Sequence, residues 1–210
     1  MCGRFVSVSS PQLLVAHFGV EESTVGEREP DYNVTPRARV PIVRERRRRG
    51  EPQTTRVLSM VRWGLVPSWA ENPSIGDQLI NARAESVAEK AAFKTAFRRR
   101  RCIVPADAFY EWRPARAGAS SRRPPRQPFL VHRRDGEPLA FAGLWEIWRD
   151  PAVTNDDEPE AWLRTCTIVT TRANSSLVPI HERMPVVLHE DVWDAWLDPA
   201  HGDVARLETM

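Results

Sequence analysis

Short apolar runs alternate with Pro, Gly and charged spacers along this chain, and helical periodicity is confined to a few brief stretches. Ser9-Ser10-Pro11, followed by Leu13, Leu14, Ala16, His17 and Phe18 and then Gly19, predicts a capped helix with proline in its first turn and glycine as its stop. Residues 21–35 are polar and read as irregular. Residues 40–43 and 55–63 read as strands, and the arginine run with Gly50 between them predicts a hairpin with a basic tip. A capping box at Ser86-Val87-Ala88-Glu89 leads into Val87, Ala91, Ala92, Phe93, Ala96 and Phe97, a helical face that ends at Arg98. Residues 102–104, 166–170 and 185–188 read as further strands. Asp135-Gly136 marks a hairpin turn between 129–131 and the apolar stretch 139–148. A last amphipathic helix covers Val192, Trp193, Trp196 and Leu197 and is closed by Pro199.

Residues 114–128 and 150–160 are rich in Pro, Ser, Arg or acidic side chains and read as loops, not domain linkers. Many short strands with scattered helices predict an α+β fold, a mostly antiparallel barrel-like sheet with a few peripheral helices. One domain over residues 1–200 with a tail at 201–210 is expected.

Composition narrows the functional classes. A hydrophobic content of 41% in 210 residues suits one globular domain. No apolar run approaches the roughly 20 residues that span a bilayer, and the first residues lack a secretory core, so a cytoplasmic protein is expected. Cys2, Cys102 and Cys166 are an odd number at wide spacing, which fits reduced thiols and neither a disulfide framework nor a zinc site. No metal and no cofactor are expected. The net charge is only +2, yet arginine is clustered at 44–49, 98–101 and 122–126, where it serves either solvated loops or phosphate contacts.

The candidate chemistry starts at Met1-Cys2. Removal of Met1 would leave a free α-amine beside its own thiol, titrating near pH 8 and 8.5 in the ordinary case. An aldehyde condenses with such an amine to an imine, and the sulfur then closes a thiazolidine ring on the same carbon. The dipeptide alone favours the simpler reading of a small buried residue at the chain start.

Six blocks change the weighing: Met1-Cys2-Gly3-Arg4-Phe5, Tyr32-Asn33-Val34-Thr35-Pro36, Trp63-Gly64-Leu65-Val66-Pro67-Ser68-Trp69, Ile80-Asn81-Ala82-Arg83-Ala84-Glu85-Ser86, residues 102–112 and Ile180-His181-Glu182-Arg183-Met184-Pro185. In content and order they resemble the signature blocks of the SOS response-associated peptidase (SRAP) family. The resemblance implies capture of abasic sites in single-stranded DNA as a thiazolidine cross-link on Cys2, exposed by an autopeptidase step, and the imine chemistry leaves room for a lyase side activity. It implies Glu111 as an acid/base group, expected to be partly desolvated by Tyr110 and Trp112. By the same resemblance His181 is a second proton handler and Asn81 orients the adduct. Arg4 and Arg83 match phosphate contacts, Asn33 falls among the DNA-binding positions, and Pro36 and Trp69 match wedges against bases. A monomer that joins the nucleoid during DNA damage is the corresponding expectation. From the residues alone, Glu111 is as readily a surface charge, Asn81 a turn residue and Trp69 a core side chain.

Two departures from the family pattern stand out. Ala70 occupies the place of a second aromatic, which puts base stacking there in doubt. The chain stops at Met210, where family members add strand, which puts closure of the sheet in doubt. The competing functions are a non-covalent single-stranded DNA-binding module, and a thiol peptidase acting on other proteins through Cys2 and His181.

Overall fold

A computed structural model of the chain describes residues 2–47, 50, 53–114 and 126–207. Its first half contains β1 (Phe5–Ser7), α1 (Pro11–His17), β2 (Glu22–Ser23), β3 (Asp31–Val34), β4 (Arg39–Arg47), β5 (Thr54–Trp63), β6 (Asn81–Arg83) and α2 (Lys94–Arg99). The second half adds β7 (Arg101–Ala106), β8 (Ala108–Arg113), β9 (Gln127–His132), β10 (Leu139–Arg149), β11 (Trp162–Arg172), β12 (Arg183–Pro185), α3 (Trp193–Leu197) and α4 (Val204–Leu207).

Strands β11, β10, β7, β4 and β5 pair in that order, all antiparallel, and β5 returns to β11 in parallel through Thr165 opposite Arg62 and Cys166 opposite Trp63. This closes a five-stranded barrel. Closure follows from alternation along each strand. Val40, Ile42, Val61, Trp63, Cys102 and Ile168 lie on one face and fill the interior. Val43, Leu58, Ile103, Leu144 and Val169 lie on the other face, beneath Phe97 of α2 and Trp193 and Trp196 of α3. The interior is tight: a Cβ on Gly143 of β10 would lie 2.9 Å from both Cys102 Sγ and Val104 Cγ2. A second sheet, in the order β3-β1-β8-β9, packs on the barrel through aromatic edges, with Phe5 at 5.2 Å from Trp63 and Phe109 at 5.8 Å from Phe141. No helix among the described residues is long and apolar enough to cross a membrane.

The mixed, barrel-like α+β architecture expected from the sequence is the one observed, and α1 starts as expected, with Ser10 Oγ accepting from Leu13 N at 3.2 Å and Pro11 in the first turn. Several local expectations differ. The stretch 21–35 is not wholly irregular, because β2 joins β5 and β3 joins β1 through backbone pairing that its polar side chains do not advertise. The capping box forms no helix: Ser86 O takes both Glu89 N and Lys90 N, the chain turns, and α2 begins only at Lys94. Packing decides there, since Val87 and Phe93 both reach the helix-covered core by way of turns. The Asp135-Gly136 turn does not join a hairpin, because β9 pairs with β8 in the small sheet while β10 enters the barrel. The first arginine run is largely strand, with β4 continuing to Arg47; Arg48 and Arg49, like Arg122 and Arg123 of the third run, lie outside the described residues. Closure comes from the β5–β11 pairing and needs no strand after residue 210. Within the expected tail, α4 places Leu207 in the core at 3% exposure.

Candidate active site

Cys2 is delivered into the interior by β1, which is held on both edges, Phe5 opposite Val34 of β3 and opposite Phe109 of β8. Just beyond β1, the Asp107 carboxylate accepts from Val8 N at 2.6 Å, from Ser9 N at 3.1 Å and from the Ser9 hydroxyl. Tyr110 N donates to Arg4 O at 3.0 Å. The Cys2 side chain is 0% exposed, and Asn81 Nδ2 donates to its carbonyl at 2.9 Å. Asn81 Oδ1 is buried with no hydrogen-bond partner among the described residues, an acceptor left beside the cysteine. Burial, reinforced by the Glu111 charge, pushes the Cys2 thiol well above its ordinary value, so it is neutral at pH 7.

Glu111 sits on β8 two residues after Phe109, on the same inward face, and is 3% exposed. Tyr110 and Trp112 project to the opposite face, 6.3 Å apart, so they are not what desolvates it. His181 Nε2 lies 3.9 Å from Glu111 Oε2. Its Nδ1 lies 3.0 Å from Arg183 N and 3.1 Å from Arg183 O, so the backbone of Arg183 holds the ring with Nε2 turned towards the carboxylate. Arg183 is fixed in turn by a two-pronged pair with Glu85, at 2.6 and 3.0 Å, and by donation to Thr170 O at 2.7 Å. Arg183 holds the Glu85 carboxyl below its ordinary value. Glu85, Arg183 and Asp107 were not singled out from the sequence, although all three lie inside the six blocks; only their partners reveal what they do.

The positions matched to DNA contacts flank this cluster. Arg4 donates to Asn33 Oδ1 at 2.9 Å, which ties β1 to β3. Arg83 is exposed on the same side of β6 as Asn81, with buried Ala82 facing the other way. Pro36 is half-buried and precedes Arg37, whose positive φ of 75° is held by donation to Trp63 O and an ion pair with Asp77. Trp69 is 59% exposed and is not a core side chain. The core contact belongs to Ala70, whose carbonyl accepts from Trp148 Nε1 at 2.6 Å. The loop carrying Trp69 is anchored where Gly64, at φ 122°, meets Gly76: a Cβ there would lie 2.6 Å from Gly76 O. Cys2, Asn81, Glu111 and His181 are thus brought together, whereas Pro36 and Trp69 stand on the loops that follow β3 and β5.

Comparison with known proteins gives one consistent result. The family model for SOS response associated peptidase (SRAP) matches residues 1–210. The abasic site processing protein YoqW of Bacillus subtilis is 36% identical over 214 residues, covering 100% of this chain and 86% of that one. YedK of Escherichia coli, also named an abasic site processing protein, is 31% identical over 201 residues, covering 94% and 79%. Among solved structures, a Bacteroides thetaiotaomicron protein superposes with a TM-score of 0.80 at 24% identity, covering 99% of this chain and 85% of that one. A phage-related protein of Bordetella bronchiseptica gives 0.69 at 29% identity, covering 99% and 86%.

Proposed function

The chain belongs to the SOS response associated peptidase (SRAP) family, and from that membership we propose that it processes abasic sites in single-stranded DNA by capturing the ring-opened sugar on Cys2. The substrate class is the one in the names that YoqW and YedK carry. The observation that carries the chemistry is the gathering of Glu111, His181 and Asn81 around a buried cysteine at the start of the chain.

Burial of the Cys2 side chain argues for the amine acting before the sulfur. With Met1 hydrolysed away, the α-amine is the first nucleophile and attacks the C1′ aldehyde to give a carbinolamine. Glu111 protonates the departing hydroxyl, water leaves, and an imine remains. The Cys2 sulfur then adds to the imine carbon while its proton passes to the nitrogen, closing the thiazolidine; the net change is loss of one water. The His181 Nε2 atom is positioned to exchange protons with Glu111 and with the sugar oxygen during closure and reversal. Asn81 fixes the Cys2 carbonyl and so the direction of the amine. Arg4 and Arg83 serve the phosphates on either side, and Trp69 stacks on a base. Two side activities follow from the same intermediates: an imine at C1′ acidifies the C2′ protons and permits β-elimination, and Met1–Cys2 hydrolysis is the autopeptidase step.

A peptidase acting on other proteins needs a ready thiolate, which the burial of Cys2 opposes. The experiment is a denaturing gel of the purified protein with an abasic and an intact single strand. A retarded band with the abasic strand alone, absent in Cys2→Ala, is expected. An adduct that persists in Cys2→Ala would refute Cys2 capture, and equal native-gel binding of both strands with no covalent band would favour a non-covalent module.

A further inference from the structure

At the barrel mouth away from Asn81 and Cys2, the inward face of β4 ends in arginine. Val40 and Ile42 fill the interior, and Arg44 continues the same face at 8% exposure. Its Nε is buried without a hydrogen-bond partner, and no carboxylate pairs with its guanidinium among the described residues. What it touches is the Trp145 ring, with Cζ at 4.7 Å from the centroid. A guanidinium cannot shed its charge, so burying one unpaired is costly unless an anion arrives.

The surroundings fit an anion. Burial pushes the Arg44 guanidinium down, followed by the charges of Arg164 and Arg46, both cations. Arg46 is already paired with Glu22, whereas Arg164 makes no ion pair among the described residues. Ser59 of β5, directly opposite Ile42, lies on the inward face beside Arg44, and its hydroxyl is buried without a partner. Arg164 also lines a cleft of 290 Å³ with Arg39, Arg62 and Trp162, where β11 diverges from β5 beyond their short parallel contact. Along β11, Arg164 stands four residues before Ile168, the partner of Asn81, about 13 Å from the Cys2 site by strand rise.

We propose that Arg44, Arg164 and the Ser59 hydroxyl form a second site, distinct from the Cys2 pocket, that binds a phosphate group entering between β5 and β11. The planar fork of arginine donates two parallel bonds to such a group, and the exposed Trp162 at the rim offers a ring face to whatever the phosphate carries. The phosphate is either free or a phosphodiester of the bound strand; the site chemistry is shared.

The test follows the arginine Nε–H resonances of the full chain as inorganic phosphate is added, with melting curves in parallel. Saturable movement of the Arg44 resonance is expected, with affinity about tenfold weaker in Arg164→Gln. Arg44→Met is expected to melt above the wild type without phosphate and to lose the phosphate-dependent rise. Non-saturating drift shared by all surface arginines would overturn the site, as would unchanged affinity in Arg164→Gln. That exposed variant decides the matter even if Arg44→Met does not fold. An intact oligonucleotide that displaces phosphate identifies the strand backbone as the source, and one that binds alongside it identifies the free anion; both support the site.

Discussion

Cys2 is enclosed, with its thiol pushed well above the ordinary value by burial, and in the proposed mechanism Glu111 is the residue that moves protons for it. Replacing Glu111 with Gln preserves shape and removes the proton donor. Single-turnover adduct formation should slow by about 100-fold, the ordinary reach of a positioned general acid, with little change in strand binding. A wild-type rate in Glu111→Gln would remove that carboxyl from the mechanism. At this scale the blocks of the sequence named residues that the fold places close together: Asn81 against the Cys2 carbonyl and His181 against Glu111. The physical reasons were less legible. Glu111 is buried by sharing the face of Phe109, which the strand period could have revealed, and not by its sequence neighbours Tyr110 and Trp112. The Glu85–Arg183 clamp was invisible because its members are 98 residues apart.

Among the elements, β1 matters most, since three residues of strand carry the cysteine. Asp107 anchors the far end of that strand with two backbone donors and the Ser9 hydroxyl. Hydrogen bonds to a carboxylate contribute more than neutral ones, and removal leaves two part-buried N–H groups without their acceptor. Asp107→Ala should lose about 2–3 kcal/mol in denaturant unfolding and slow adduct formation through a misplaced Cys2. Loss below about 0.5 kcal/mol with an unchanged rate would mean that β1 is held by its sheet partners alone. Element types were mostly readable from period and turn residues, and the failures have a common cause. The capping box at 86–89 and the Asp135-Gly136 turn are correct local signals, overridden by where Val87, Phe93 and β10 must pack. Strands β2 and β3 escaped notice because backbone pairing, not side-chain pattern, makes them.

For the molecule as a whole, the barrel interior holds all three cysteines, each fully buried and each pushed above the ordinary thiol value mainly by burial. In the unfolded chain these thiols ionise above pH 9, while the folded chain keeps their protons. The folded state thus binds more protons there, and stability falls as pH rises past 9, by about 1.4 kcal/mol per pH unit for each thiol. Urea melts between pH 8 and 10.5 should show that slope reduced in Cys102→Ala/Cys166→Ala; identical slopes would contradict the buried neutral thiols. Barrel closure through β5 and β11 was the least legible feature, because a two-residue parallel contact between distant strands leaves no periodic trace.

The central claim is that Cys2, freed from Met1, captures an abasic sugar with loss of one water. Intact mass of the protein, alone and after incubation with a single-stranded oligonucleotide bearing one abasic site, tests it most directly. The account predicts a chain lacking Met1 and a one-to-one adduct at the summed mass less one water, absent in Cys2→Ala. A processed chain that gives no adduct, or an adduct of the same mass in Cys2→Ala, would contradict it.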